Sequence, residues 1–534
     1  MRSTLLLLFI IVSSIVMAQP YYADTILDRN AVKANLTDRG ILFNDTLNGY
    51  AGYEVPKNSF NFAIYAMSFW FGALDANNDL RLAAQKFNVG DYYAGPYSSN
   101  SAYSSQFYQD KYSPAIWNVS KQQVEAHMME YSLNGFVANP DPVILNWPAN
   151  GDTFIGVADD LAPYVDVNND GIYDPYAGDY PDIKGCETTY IIFNDDAGPH
   201  TQSGGEKLGI EVHLMLYQYA TNNYLDTTTF IDMRVVNRGN NVLNDFRTAI
   251  YMDADIGNNQ DDFTGCDTLR NLMYTYNGDA VDETNGGNLG YGVDAPCLAI
   301  KCLNDSMENF GYYTGLGGFG YPYTDPGGAV EYWNYMNGLW QDGSPWYYGG
   351  AGFTGSPGST TTQTTYMFSG YPELGTGWSE VTNNNFPGDR RTFMTVQDAV
   401  MLPGDERQID YVILTAFGGD HLTSVARMRE LADSAQVFYD NFNDFCDDVL
   451  ALDEHQDEVI AFELYPNPSN GSFNVSLPEG LNQAKIVITD LAGKIVYSEQ
   501  AIDGKQITLN SSAGVYLVSI VNNEFSSTKK LVIE

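Results

Sequence analysis

Apolar and polar residues alternate with a period of two along much of the chain, the spacing that turns one side of a strand into a core and the other away from it. Segments 228–236 (TTFIDMRVV) and 246–252 (FRTAIYM) carry it on either side of the turn-forming NRGNN at 237–241. Segments 392–401 and 408–417 carry it on either side of LPGD at 402–405. Further on, Phe473, Val475 and Leu477 alternate with Asn474 and Ser476, and Ile486 and Ile488 continue the pattern. Segments 495–497, 515–520 and 531–533, with Ile507 and Leu509, complete a series of short strands divided by Gly and Asn turns. Such a series predicts a small antiparallel, immunoglobulin-like sandwich. Two segments keep helical spacing instead. SKQQ at 120–123 is a capping box ahead of Val124, Met128 and Tyr131. Thr423 or Ser424 caps a helix with Val425, Met428, Leu431, Ala435 and Phe438 on one face. The fold class expected is mainly β: a β-sandwich-rich main body with a few helices, then the small C-terminal sandwich.

The first residues read as a signal peptide at 1–18. Arg2 is followed by an unbroken apolar run at 5–12, and small residues at 16 and 18 precede Gln19. The most apolar later stretch, 60–74, is short for a membrane span and contains Asn61 and Ser68, so it is expected in the core. The mature chain is therefore expected to lack a transmembrane segment. A polar, acidic stretch at 450–462 reads as a linker between a main body at 19–449 and a tail at 463–534. The body has room for two subdomains, with a boundary near residue 160.

Charge separates these parts. The chain of 534 residues has 26 Lys and Arg against 67 Asp and Glu, a formal net charge of −41. The tail holds 5 basic and 7 acidic residues, so nearly all the excess lies in the body. With 44% hydrophobic residues the chain has ample material for a core, and its acidity does not signal disorder. It does exclude a nucleic-acid partner, which needs a basic footprint, and disfavours an anionic membrane surface. The five cysteines, Cys186, Cys266, Cys297, Cys302 and Cys446, allow two disulfides and one free thiol in an oxidising compartment. Cys297 and Cys302 lie on a strand-like CLAIKC, whose ends stand about 16 Å apart when extended, too far for a bridge. No CxxC or HExxH spacing offers a zinc site.

LYPNPSNG at 464–471 resembles the opening motif of the type A C-terminal sorting domain of the type IX secretion system. The likeness continues through ITDLAGK at 488–494, GVYL at 514–517 and KKLVIE at 529–534. It implies Sec export, passage through the outer membrane by the type IX machinery, and cleavage of the tail. The cargo is then released or attached to surface lipopolysaccharide.

The sharpest chemical motif is DVNNDGIYD at 166–174. Asp166, Asn168 and Asp170 stand at positions 1, 3 and 5 of a calcium loop, and Gly171 allows the sharp turn at position 6. Ile172 offers a backbone carbonyl and Asp174 a further oxygen. Position 12 is Ala177 rather than a bidentate Glu, so the loop resembles those of dockerins and thrombospondin type 3 repeats, where a later Asp completes the shell. Asp179 or Asp182 fits that place. The plain alternative is an Asx-rich surface turn. A weaker second calcium cluster follows a strand and comprises Asp253, Asp255, Asp261 and Asp262, with Asp267 beyond. Asp75, Asn77 and Asp79 lack the Gly and read as a turn.

The body also resembles a group of secreted Asp-rich proteins that carry the same tails, on words such as DVNNDGIYDP, FNDDAGPHT, LGIEVH, DADIGNNQDDFTGCDTLRN and PGDRR. No catalytic set emerges. Tyr332, Trp333, Tyr335, Trp340, Trp346, Tyr347 and Tyr348 form either a sugar-stacking platform or core packing. His200, Glu211 and His213 offer either a metal or base site or satisfied structural residues. There is no GxSxG elbow. The leading expectation is a calcium-binding surface or adhesion protein with the type IX machinery, and surface lipopolysaccharide or glycans, as partners. The alternative is a secreted hydrolase acting on glycans.

Overall fold

The structure is a computed structural model. It describes residues 23–441 apart from 47, 89, 222, 316 and 317, then Cys446, and in the tail 462–477, 485–490, 495–500, 502, 504–509, 512–521 and 526–533. The signal segment and linker residues 450–461 lie outside the described residues. The chain divides into two compact units between Asp448 and Val449.

The first unit is built on two antiparallel sheets. The nine-stranded sheet has the order Asp262–Asp267, Leu272–Asn277, Cys297–Cys302, Glu406–Ala416, Thr228–Asn237, Ile210–Gln218, Glu187–Asn194 and Tyr93–Ala94, with Ile116–Ser120 also on Glu187–Asn194. The eight-stranded sheet centres on Phe62–Leu74, Leu243–Ala254 and Arg390–Met401. Side chains that alternate to one face meet between the sheets. Leu214, Leu216, Ile231, Met233, Ile409 and Ile413 of one sheet share a core with Phe69, Phe71, Ile250 and Met252 of the other. The Phe69 and Tyr411 rings lie 6.4 Å apart across it. On its far face the eight-stranded sheet is covered by the helix Ala329–Met336, where Tyr332 meets Trp70 edge-on at 4.9 Å. The helix His421–Asp440 covers part of the far face of the nine-stranded sheet. The apolar stretch at 60–74 is the nearly wholly buried Phe62–Leu74 strand.

Two turns read from the sequence prove to be corners between sheets. Thr228–Asn237 and Glu406–Ala416 pair with each other in one sheet, while Leu243–Ala254 and Arg390–Met401 pair in the other. The links at 238–242 and 402–405 therefore both cross the sandwich. Buried Asn237 ties them together: its amide donates to the carbonyl oxygens of Asn241 and Met401, and Gly404 N–H donates to its carbonyl at 2.8 Å.

Three expectations change. Strands from both sides of residue 160 join one sheet, so the body has no division there. The long helix starts three residues earlier than expected, because Asp420 accepts from Leu422 N–H and Thr423 N–H. On the helix Lys121–Asn134 the capping box of Ser120 and Gln123 is present, but His127 joins Val124 in the buried set while Met128 is exposed. One disulfide links Cys186 to Cys446, and Cys266, Cys297 and Cys302 are buried free thiols.

The second unit pairs a three-stranded with a four-stranded sheet over a core that includes Phe473, Val475, Ile486, Ile488, Val518, Ile520 and Leu531. These are the alternating positions of the sequence pattern.

Candidate functional site on the outer face of the nine-stranded sheet

Period-two alternation points Tyr190, His213, Met215, Asp232, Arg234, Gln408 and Asp410 away from the sandwich core, on four adjacent strands. Register places His213 opposite Arg234, Arg234 opposite Gln408, and Asp232 opposite Asp410. These side chains line a cleft of about 380 Å³, walled by Asp160, Leu161, Pro163, Asp182 and Lys184. The wall is the two stems of the 166–174 motif, closed by the pairing of Tyr164–Val165 with Tyr180–Pro181.

The cleft floor holds a buried chain of polar groups. Tyr190 Oη lies 2.9 Å from His213 Nδ1, and His213 Nε2 lies 2.9 Å from Glu211 Oε1. All four atoms are satisfied when Tyr190 donates to Nδ1 and Nε2–H donates to Glu211. Glu211 also accepts from Tyr97 N–H at 2.7 Å and meets Arg238 at 2.8 Å. Burial opposes ionisation of Glu211, but His213 and Arg238 outweigh it and hold the carboxyl at about 2. Burial pushes His213 down and Tyr190 up, so imidazole and phenol both stay neutral. Both nitrogens of His213 are engaged, and so are those of His200, which face the carbonyl oxygens of Leu82 and Asp195 at 2.7 and 2.8 Å. Glu211 and His213 thus come together as a brace, with His200 elsewhere.

Beside this chain, burial and the facing Asp410 raise the Asp232 carboxyl, against the pull of Lys184. Lys184 bonds Asp232, Tyr217 Oη donates to it at 3.2 Å, and Tyr439 Oη donates to Asp410. Arg234 reaches Asp160 at 3.5 Å and Glu406 at 3.4 Å, joining wall to floor. Nothing in the sequence marks Asp232, Asp410 and Lys184; strand register sets Asp232 opposite Asp410, and the cleft wall brings Lys184 to them.

The 166–174 motif forms a tight turn. Asp166 accepts from Asn169, Asp170 and Gly171 N–H groups, at 2.6, 3.3 and 2.8 Å. Asn168 Oδ1 accepts from Asp170 N–H and its amide donates to Asp170 Oδ2 at 3.0 Å; Asp170 Oδ1 accepts from Ile172 N–H. Asn169 and Gly171 take positive φ, 60° and 79°. Asp174 accepts from Tyr176 N–H, while Asp179, fully buried, accepts from Val167 and Asp174 N–H groups at 2.9 Å each and ties the loop ends together. The side-chain oxygens of Asp166, Asn168 and Asp170 are hard donors of the kind calcium takes, and a shell of about six to eight would need main-chain and water oxygens besides. Among the described residues no three His, Cys, Asp or Glu side chains gather as a metal site.

The residues of the second acidic cluster are engaged with separate partners. Asp253 pairs with Arg391 at 3.3 Å, Asp261 accepts from Asn258 at 2.7 Å, Asp262 accepts from Ile256 N–H, and Asp255 opens into a different cleft. Asp267 bonds Arg270 and Arg429. Of the aromatic run, Tyr332, Tyr335, Trp340 and Trp346 are fully buried core, so no sugar platform forms there.

Residues 463–534 match the secretion system C-terminal sorting domain. No curated protein matches the chain. A solved structure named Polysaccharide Lyase BACCELL_00875 is similar over 60% of this chain, at 8% identity and a TM-score of 0.17, and the chain spans 34% of its length. Among the described residues no helix is long and apolar enough to cross a membrane. With its sorting tail, the protein is exported by the type IX secretion system to the cell surface or the extracellular space.

Proposed function

We propose that the protein serves outside the cell as a calcium-braced structural or adhesive protein, with the cleft at His213 as a contact site. One observation carries this: the stems of the DVNNDG loop are the wall of that cleft. An ion held by Asp166, Asn168 and Asp170 would fix the loop, and through Asp160, Pro163, Asp182 and Lys184 the mouth of the cleft. Extracellular sites of this chemistry bind at about 10⁻⁴ to 10⁻³ M. Calcium in excess then stabilises by RT ln(1 + [L]/Kd), about 2.7 kcal/mol at a hundredfold excess. Melting curves and limited proteolysis of the mature protein, with calcium and with chelator in low salt, test it. Calcium should raise the melting temperature and protect 166–182 from protease, and Asp166→Ala with Asp170→Ala should remove both effects. Identical curves would leave the loop an Asx-braced turn.

A glycan hydrolase is the second reading, favoured by the facing Asp232 and Asp410, with the Asp232 carboxyl raised to about 6 at the cleft floor. Turnover of any polysaccharide that is lost in Asp232→Asn would favour it.

A further inference from the structure

A second cleft, of about 710 Å³, opens at the edge of the eight-stranded sheet, beside the start of the Phe62–Leu74 strand, the Asn44–Asp45 and Tyr50–Ala51 hairpin and the turn at 286–289. It shares no residue with the His213 cleft or the 166–174 motif, so it goes beyond the function proposed above. Its volume lies in the range of ligand sites, roughly 300–1,000 Å³.

Two rings stand in the open at this cleft, Tyr50 at 68% exposure and Phe60 at 72%. Phe60 has a backbone φ of 62°, a region that bulky residues avoid. Its N–H donates to Glu54 Oε1 at 2.7 Å, which pins that conformation. Folding therefore places a large apolar ring in water, against both its hydration and its backbone preference. Strain of this kind gathers at functional sites. Asn61 fixes the neighbouring wall, donating to the carbonyl oxygens of Leu289 and Gly290 at 3.0 and 3.1 Å.

We propose that this cleft binds an uncharged carbohydrate chain, with sugar faces stacked on Tyr50 and Phe60 and hydroxyl groups bonded to Asp255, Asn35, Asn259 and Asn288. A pyranose has C–H groups on its face and hydroxyls around its rim, and exposed rings beside planar amide and carboxyl groups match both. Charge narrows the class. Asp45 and Glu54 line the cleft against Lys33 alone, which stands 3.8 Å from Glu54, so polyanionic sugars are repelled. Burial, then the neighbouring Asp253 and Asp389, lift the Asp255 carboxyl well above its usual range despite Arg391, so it keeps its proton and donates.

The test is calorimetric titration of the mature protein with three probes: uncharged gluco- and manno-oligosaccharides, uronic acid oligomers, and chitosan oligomers. The uncharged probes should bind and the uronic acids should not. Tyr50→Ala with Phe60→Ala should weaken binding at least about tenfold, a loss of about 1.4 kcal/mol, at an unchanged melting temperature. Asp255→Asn, which keeps a donor of the same shape, should bind within about threefold of the wild type, and Asp255→Ala should bind more weakly than Asp255→Asn. No binding of any uncharged oligomer, a preference for uronic acid or chitosan oligomers, or undiminished binding by the double variant would overturn the proposal.

Discussion

Replacing Glu211 by Gln asks whether charge holds the floor of the His213 cleft. Glu211 is fully buried, and burial alone would lift its carboxyl; the hydrogen bond from His213 and the charge of Arg238 instead bring it from 4.5 to about 2. At about 1.36 kcal/mol for each tenfold change in proton affinity, that lowering corresponds to about 3 kcal/mol of folding free energy. Because the folded value lies below the unfolded one, the contribution is present above pH 4.5 and drains away as pH falls towards 2. Glutamine deletes it and leaves Arg238 facing a neutral amide, and breaking a buried pair from one side costs about 3–5 kcal/mol. Urea unfolding of wild type and Glu211→Gln at pH 7, 5 and 3 measures the loss. Asp38 and Asp261, raised by burial to about 6 and about 7, act in the opposite sense: their contribution is present below 3.8 and lost as pH rises through those values. Both proteins contain them, so the difference between the two reports Glu211 together with the His213 bonded to it. The expected difference is about 3 kcal/mol or more at pH 7, narrowing towards pH 3. A loss below about 1 kcal/mol at pH 7, or an equal loss at pH 3, would refute the charge-held brace.

Reducing the Cys186–Cys446 bridge, which joins residues 260 apart, should lower the stability of the body by up to about 5 kcal/mol, measured by denaturant unfolding with and without reductant. The three other thiols should stay unreactive until unfolding, since each is buried and burial pushes each above its usual range, Cys302 to about 12; rapid labelling of the native state would contradict this. Deleting residues 463–534 should leave the protein in the periplasm, and a truncated form found in the medium or on the surface would contradict the role of the sorting tail.

Strands were legible because alternation is a local property: the inward residues of Thr228–Asn237 and Glu406–Ala416 are those the pattern marks. Partners were not legible. NRGNN and LPGD have the composition of hairpin turns, yet each carries the chain from one sheet to the other, because the two strand pairs that close the sandwich lie far apart in sequence. The cleft was hidden for the same reason, as Asp232 and Asp410 are 178 positions apart and meet only through register. The DVNNDG turn was visible because its bonds are between near neighbours. Asp179 carries no local sign of its role as a brace, since its burial depends on the hairpin around it. The aromatic run at 332–348 left platform and core packing both open, because ring content does not say which face of a helix or loop meets the sheet; Tyr332 and Tyr335 lie on the buried side of theirs.

The few basic residues are drawn inwards as counter-ions, which shapes what this protein can meet outside the cell. Arg390 pairs with buried Glu380, Arg391 contacts Asp253, Asp325 and Asp389, and Arg429 contacts Asp267 and Glu373. With those cations committed to internal carboxylates, the field presented to solvent is that of the surplus acids. Burial also raises Asp253 to about 7 and lifts Asp255 and Asp262 well above the usual carboxylate range, so the formal charge overstates the ionised one at neutral pH. What remains still repels anionic polymers, including the phosphate and acidic sugars of an outer surface. Contact with them then requires a divalent bridge or attachment through the sorting machinery, whereas uncharged sugar chains meet no such barrier. The DVNNDG loop and the Tyr50 and Phe60 cleft answer to these two routes: one gathers hard oxygen donors for a cation, and the other offers apolar rings and a neutral carboxyl to a ligand without charge.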